Sequence, residues 1–379
     1  MPTPGAEAKR STVIFLTILF SLFITIYLFF TLYIGRGLLR KTREIAPSKR
    51  PTVAIIVAAR NEEAHLPLLL EDLCHQNYPG ELLEIRVADD RSTDDTWSVI
   101  QQFQRKYPFL NGLRIREPNR LMTGKKNALT QCIRKTQAPI ILQTDADCRV
   151  GPEWVESMAL SVARGAGLVV GYSGRVPDKS FMGRYEALDY LTLNAANFGV
   201  LLNGKAWSGS GTNLGLLRAA FTDIRGFEPI AGSIGDDDIY LVQTIANHPK
   251  YSVEVNLDRR GWVHSTTDTS FSGFFNQRVR WASTARGMEK RAPLFWFFLV
   301  SAFLSNIALL LGPFFAIKIW FVWALLKFLG DLMVTGLAAR RFGLGHLLML
   351  FPLWFCLQPI YIPMVAIFGL LGRFRWKPA

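Results

Sequence analysis

Three long stretches without Asp, Glu, Lys or Arg decide what this chain can become. Residues 11–35 and 293–317 are wholly uncharged, and residues 342–372 hold only His346 as a group that can carry positive charge. About 20 apolar residues span a bilayer. Runs this long, rich in Phe, Leu and Ile, suit buried core helices poorly and predict a membrane protein with a soluble middle. The first run is too long for a signal-peptide core and lacks a small-residue cleavage site, so it is expected to persist as an anchor. Arg36, Arg40, Lys41, Arg43, Lys49 and Arg50 follow it, opposed by Glu44 alone, whereas Lys9, Arg10 and Glu7 precede it. The positive-inside rule then places the middle in the cytoplasm, and the expected setting is a bacterial inner membrane. This collar also favours anionic lipid and accounts for part of the formal charge of +13. No basic, aromatic-interleaved module accompanies it, so no nucleic-acid partner is expected.

The expected division is an anchor and collar over 1–50, a soluble domain over 51–270, an amphipathic helix over 271–291 and a membrane region of two to three spans over 292–379. In the middle C-terminal block Lys327 and Asp331 stand four apart, a spacing that lets them pair on one helix face. Three spans would send Arg373, Arg375 and Lys377 to the outer side, against the charge rule. A re-entrant last block, with Pro352, Pro359 and Pro363, is therefore an open alternative. None of the four cysteines (Cys74, Cys132, Cys148 and Cys356) forms a Cys-x-x-Cys pair, so neither a zinc site nor a disulfide framework is expected.

From residue 51 to about 172 the pattern alternates strand and helix. Apolar runs at 52–59, 84–88, 113–116, 140–143 and 167–171 read as strands. Between them a helix capped by Asn61 runs through Leu73 with Pro67 against it in the middle, one capped by Ser92, Thr93 or Asp94 runs through Phe103, and a third spans 124–134. Alternation of this kind predicts an α/β domain with a mostly parallel sheet covered by helices. Three strand ends carry polar clusters: Arg60-Asn61-Glu62, Asp89-Asp90, and Asp145 with Asp147. In a parallel sheet these ends share one edge, where such folds bind ligands. Asp145 and Asp147, two apart, can turn both carboxylates toward one point, and Mg²⁺ or Mn²⁺ is commonly held by carboxylates plus phosphate oxygens. Alone, an Asp-x-Asp fits a solvated turn as well as a metal-bound diphosphate. Asp90 and Glu62 suit hydrogen bonds to a base edge or ribose. Lys125, opening a helix after Gly124, suits phosphate, although Lys125-Lys126 also reads as a solvated face.

Together, Ala58-Ala59-Arg60-Asn61-Glu62, Asp89-Asp90-Arg91-Ser92-Thr93-Asp94, Gly124-Lys125-x-x-Ala128-Leu129 and Thr144-Asp145-Ala146-Asp147 resemble the opening motifs of family 2 glycosyltransferases. The resemblance implies a GT-A-like nucleotide-diphospho-sugar transferase domain, an NDP-sugar donor and a divalent metal on Asp145 and Asp147. It also implies that Ala59, Arg60, Glu62, Asp89, Asp90, Lys125 and Asp145 line the nucleotide.

Further along, residues 181–202 read as a helix and 207–213 (Trp-Ser-Gly-Ser-Gly-Thr-Asn) as a glycine-rich turn before a strand at 214–217. The resemblance makes Gly211 and Asn213 candidates for the sugar and acceptor. Gly235-Asp236-Asp237-Asp238 then opens a helix through residue 246. Acidic residues there suit the helix dipole, but hydroxyl transfer also needs a carboxylate base. Matching the family's acidic pair puts the base at Asp237, with Asp236 next; the third acid, Asp238, leaves the register open. Gln277, Arg280 and Trp281 share a helix face and fit Gln-x-x-Arg-Trp, where Arg suits diphosphate and Trp a sugar ring. Phe271, Phe274, Phe275, Arg278, Arg286 and Arg291 equally suit a helix lying at the membrane surface. His264 reads as a phosphate or acceptor contact or as a structural histidine. The resemblance implies an inverting glycosyltransferase. The expected reaction moves a sugar to a hydroxyl of a lipid or polyprenoid-type acceptor at the cytoplasmic membrane face, with a processive synthase extending a glycan as the alternative and a catalytically silent membrane scaffold as the remote one.

Overall fold

In the computed structural model, residues 4–41, 49–122, 124–233, 236–267, 270–285 and 288–372 are described. Arg43, Glu44, Gly235, Arg286, Arg373, Arg375 and Lys377 lie outside them, and with them part of the basic collar. The chain divides into two units, one of residues 41–176 with 204–266, the other of residues 1–40, 177–203 and 267–379. The stretch 181–202 therefore groups with the apolar helices, although it sits inside the 51–270 span read as one domain.

In the first of these units the β-rich apolar runs become strands: β1 Val53–Ala59, β2 Leu83–Asp90, β3 Leu110–Ile115, β4 Ile140–Gln143, β5 Cys148–Val150, β6 Leu168–Gly171, β7 Ser173–Val176, β8 Leu214–Leu217, β9 Val253–Asn256 and β10 Val263–Thr266. Seven form a sheet in the order β3-β2-β1-β4-β8-β6-β9. β3, β2, β1 and β4 run parallel, and β6 runs parallel to β9. β8 enters antiparallel between β4 and β6. A smaller sheet orders β5-β10-β7. Val53, Ile55, Val57, Ile85, Val87, Leu142 and Val169 are fully buried, as expected of strands covered on both faces.

Two local readings are corrected. Asn61 does not cap a helix: it adopts a left-handed conformation at φ 53°, and the helix begins at Leu66 with Pro67 in its first turn. A proline in that place loses no helical hydrogen bond, which removes the conflict it posed mid-helix. The next helix spans Thr96–Lys106, with Asp94 Oδ1 accepting from the Thr96 N–H at 3.1 Å.

The second unit is helical: Pro4–Leu38, Phe181–Leu202, Phe271–Ser283, Pro293–Leu311, Ile317–Phe342 and Phe351–Leu370. Among the described residues four segments are long and apolar enough to cross a membrane: Glu7–Leu38, Pro293–Phe314, Ile317–Phe342 and Gly345–Leu370. The last meets that criterion with Pro359 and Pro363 inside its helix. Lys327 and Asp331 pair at 2.6 Å, both buried, and Tyr27 Oη donates to the other Asp331 oxygen at 2.7 Å. The intramembrane charges are thus mutually neutralised, with the N-terminal helix tied to them.

That helix also meets Phe181–Leu202 at very short range. A Cβ added to Gly37 would lie 1.8 Å from the Gly199 carbonyl oxygen, and one added to Gly199 would lie 2.5 Å from that of Ile34. Asn203 Nδ2 donates to the Tyr33 carbonyl at 2.6 Å beside this contact. Backbone cannot yield as a flexible side chain does. Gly37→Ala is expected to cost about 1–3 kcal/mol, the usual range for overpacking, read as a lowered melting temperature in detergent. An unchanged melt would mean that the two helices separate without penalty.

The helix carrying Gln-x-x-Arg-Trp departs from a surface-lying helix. It ends at Ser283, residues 288–291 form a separate turn, and Phe274, Arg278 and Val279 are buried within the unit. The charge of Arg278 is tolerated there because Asp189 pairs with it at 2.7 Å.

Candidate active site

The carboxyl ends of β1, β2 and β4 meet at one sheet edge, because Ala59 registers with Asp89 and Ile56 with Gln143. Asn61 binds the two loops together. Its N–H donates to Ser92 Oγ at 3.0 Å, and its Oδ1 accepts from the Thr93 N–H at 2.9 Å. The Glu62 N–H donates to Thr96 Oγ1 at 2.8 Å. Asp89, fully buried, accepts from the Ser92 N–H at 3.0 Å and so shapes the turn. Asp90 faces Arg91, whose Nε donates to it at 2.9 Å. Gly124, at φ 42°, opens the Gly124–Arg134 helix beside Asp90, whose Oδ2 would lie 3.6 Å from a Cβ there.

From that helix start Lys125 reaches the centre of the site. Its Nζ donates to Asp145 Oδ1 at 2.6 Å and lies 4.0 Å from Asp237 Oδ2. Burial opposes the lysine's charge, but Asp145 and Asp237 outweigh it and raise its pKa. Gln143 Nε2 donates to the Gly211 carbonyl at 3.0 Å, and the Gly211 N–H donates to Asp238 Oδ2 at 2.9 Å. A Cβ on Gly211 would approach Gln143 Nε2 at 3.0 Å and Lys125 Nζ at 3.4 Å, so a side chain there would press on the ends of both. Asp145, Lys125, Gly211, Asp237 and Asp238, far apart in sequence, thus converge. Burial and the neighbouring Asp237 push the Asp238 carboxyl up to about 6, against the opposing pull of the Gly211 N–H and Lys125.

Asp147 is also held above the ordinary carboxylate range, first by burial and then by the charge of Asp145, while Arg175 opposes the rise. Arg175, which the motifs did not single out, donates to Ser265 Oγ at 2.6 Å. Cys148 is buried behind the pair, its thiol pushed well up by burial, in keeping with a packing role. Among the described residues no group of three or more His, Cys, Asp or Glu is arranged to hold a metal. The donor set that fits is the two carboxylates of Asp145 and Asp147. Crowded like charges of this kind are relieved by a divalent cation, and such a set leaves the rest of a Mg²⁺ or Mn²⁺ shell to phosphate oxygens and water.

Four residues take other places. Asn213 is fully buried: its Oδ1 accepts from Trp154 Nε1 at 3.0 Å, and its Nδ2 donates to the carbonyls of Tyr172 and Gly261 at 2.7 and 2.8 Å. It secures the scaffold and has no amide group left for a sugar. Asp236, left-handed at φ 58°, accepts from Ser233 Oγ at 2.8 Å. Lys126 is not a solvated neighbour of Lys125 but is 2% exposed, with its Nζ donating to Ser233 Oγ at 3.0 Å. His264 pairs in register with Gly174, and burial lowers its pKa.

Gln277, Arg280 and Trp281 belong to the helical unit. There Gln277 Oε1 accepts from Arg278, and Trp281 packs against Tyr190 with ring centroids 5.9 Å apart.

A family model described as Glycosyl transferase family 21 matches residues 13–378. The beta-monoglucosyldiacylglycerol synthase of Synechocystis is 37% identical over 100 residues, which is 26% of this chain and 20% of that protein. Its counterpart in Nostoc is 38% identical over 103 residues, 27% and 22% of the two chains. The probable glycosyltransferase YdaM of Bacillus subtilis is 32% identical over 97 residues, 26% and 23%. The chain therefore matches only about a fifth of these relatives' length. Among solved structures, the mannosyltransferase PcManGT of Pyrobaculum calidifontis in complex with GDP-Man and Mn²⁺ superposes with a TM-score of 0.59 at 21% identity, covering 96% of this chain and 99% of that one. It shares the GT-A-like α/β fold.

Proposed function

The chain belongs to glycosyl transferase family 21, and we propose that it moves one sugar from an NDP-sugar to a hydroxyl of a membrane lipid, of the diacylglycerol or polyprenoid class. The carrying observation is the convergence of Asp145, Lys125 and Asp238 at Gly211, with a carboxyl raised to about 6 beside a cation and a backbone donor. Relatives named for glucosylating diacylglycerol support the acceptor class, as do the four apolar helices.

In this reading Asp145 and Asp147 would hold Mg²⁺ or Mn²⁺, and the bound metal would supply Lewis-acid stabilisation of the charge on the departing NDP. Lys125 supports the same charge from its helix start. The acceptor O–H gives its proton to a carboxylate, its oxygen bonds to the anomeric carbon, and the carbon–oxygen bond to diphosphate breaks, releasing NDP with the electron pair. Entry opposite the leaving group inverts the anomeric centre. We assign the base to Asp238 rather than Asp237. A base works best with a pKa close to the operating pH, and Asp238 is the carboxyl so raised, whereas Asp237 faces Lys125. Asp90, Glu62, Ala59 and Arg60 serve the nucleoside. Gln277, Arg280 and Trp281 are assigned to diphosphate and acceptor on their motif. The basic residues Arg36, Arg40, Lys41, Lys49 and Arg50 support a cytoplasmic orientation of the transferase domain.

The reading predicts a bell's acidic limb. Because Asp238 must be ionised to accept the proton, kcat is expected to fall about tenfold per pH unit below pH 6, the value to which its carboxyl is raised. A profile flat from pH 5 to pH 8 would remove Asp238 from the role. A thermal-shift screen of NDP-sugars with Mn²⁺ tests the donor assignment. One donor class should raise the melting temperature by mass action, and no shift across uridine and guanosine diphosphate sugars would contradict it.

A further inference from the structure

The second residue of Gln277-Arg278-Val279-Arg280-Trp281 is the one most deeply engaged with the protein. Arg278 is 4% exposed and its Nε donates to Asp189 Oδ2 at 2.7 Å. The other Asp189 oxygen accepts from Trp354 Nε1 at 3.0 Å. The guanidinium also donates to Gln277 Oε1, and it lies 4.6 Å from the ring centre of Phe274 and 4.4 Å from that of Trp281. One buried cation therefore touches two of the three motif side chains. Its own position is fixed by an acid on helix Phe181–Leu202, itself held by the last apolar helix. A guanidinium is suited to this, since its planar fork can pair with carboxylate, donate in its plane and stack on aromatic faces at once.

We propose that Arg278 and Asp189 are positioning residues: the pair sets the amide orientation of Gln277 and the ring plane of Trp281, and Trp354 locks it. Fixing Gln277 Oε1 as the acceptor for Arg278 turns the Gln277 amide nitrogen toward other partners, as a donor. The catalytic significance of this rests on the proposed transferase reading; the positioning itself does not.

The discriminating variant replaces both charges by apolar residues of similar volume, Asp189→Leu with Arg278→Met. Such exchanges of a buried ion pair are often neutral or stabilising, so the fold should survive, whereas the contacts to Gln277 and Trp281 are lost. Full-length protein in nanodiscs is expected to keep its melting temperature and its donor KM, and to lose about 10²-fold in kcat, the scale of a small misplacement of reacting groups. Arg278→Lys keeps the charge but not the fork, and should fall between wild type and the double variant. Labelling with 5-fluorotryptophan gives a second readout, with the Trp281 ¹⁹F resonance assigned by Trp281→Phe: it should shift or broaden in the double variant. If the double variant does not fold, Trp354→Phe, which removes only the indole donor, should move the Trp281 resonance in the same sense. Wild-type kcat with an unmoved resonance in a folded double variant would overturn the proposal. Wild-type protein that transfers no sugar would count against the transferase reading instead, and the fluorine arm would still decide the positioning claim.

Discussion

Asp238→Asn is expected to lower kcat by about 10²–10⁴-fold, the usual contribution of a positioned general base, with donor KM little changed. Asparagine keeps an oxygen for the Gly211 N–H, which now donates to Asp238 Oδ2 at 2.9 Å, and gives up only the bond that Oδ1 accepts from the adjacent Ile239 N–H at 2.8 Å, so the Gly211 loop should hold its place. What disappears is the capacity to take a proton. The acidic limb near pH 6 should vanish with it. The same substitution should stabilise the protein. The Asp238 carboxyl is raised from the usual 3.8 to about 6, so the folded state binds this proton more tightly than the unfolded chain does. Stability from this group is full below pH 3.8 and is lost as pH rises through 6; Asn removes that loss, and the variant should melt higher at pH 7.5. Asp237→Asn separates the two candidates. Its carboxylate lies 4.0 Å from Lys125, and its loss should act mainly on donor KM. If Asp237→Asn abolished turnover and Asp238→Asn did not, the assignment between them would be reversed.

Asp145→Asn and Asp147→Asn should each abolish metal-dependent turnover. Metal stabilisation of a leaving diphosphate is worth several kcal/mol, so a loss of about 10³-fold is expected from either. The two variants should differ without metal. Asp145→Asn also frees Lys125 from its 2.6 Å partner, whereas Asp147→Asn leaves that pair intact. Epistasis with chelation makes the test specific. EDTA should bring the wild type down to the level of the variants and leave the variants where they are. Titration calorimetry with NDP should show Mn²⁺-dependent binding in the wild type alone. Wild-type turnover unaffected by EDTA would contradict metal ligation by this pair.

What could be read in the sequence was what local pattern encodes. The helix at 124–134 and the strand at 214–217 emerge at the residues their spacing indicates, and Asp145 lies just past the strand Ile140–Gln143, where an apolar run is closed by polar residues. Partners far apart in sequence were not legible. Asn213 looks like a loop residue until Trp154, Tyr172 and Gly261 close around its amide. The choice between Asp237 and Asp238 turns on the burial and neighbouring charge that raise the Asp238 carboxyl, where its partner Gly211 lies 27 residues upstream. Lys126 differs from Lys125 only because Ser233 waits for it in space. Arg278 read as part of a membrane-lying face, since nothing near it announces Asp189, 89 residues away. The same limit hid the antiparallel entry of β8, because a short apolar strand carries no mark of its direction.

The central claim is transfer of a sugar to a lipid hydroxyl, and its most direct measurement is the product. Full-length protein, incubated with radiolabelled NDP-sugar, Mn²⁺ and a membrane lipid extract, should yield one organic-soluble species carrying a single sugar, absent with Asp238→Asn. A ladder of water-soluble polymer, or no incorporation from any donor, would contradict the account.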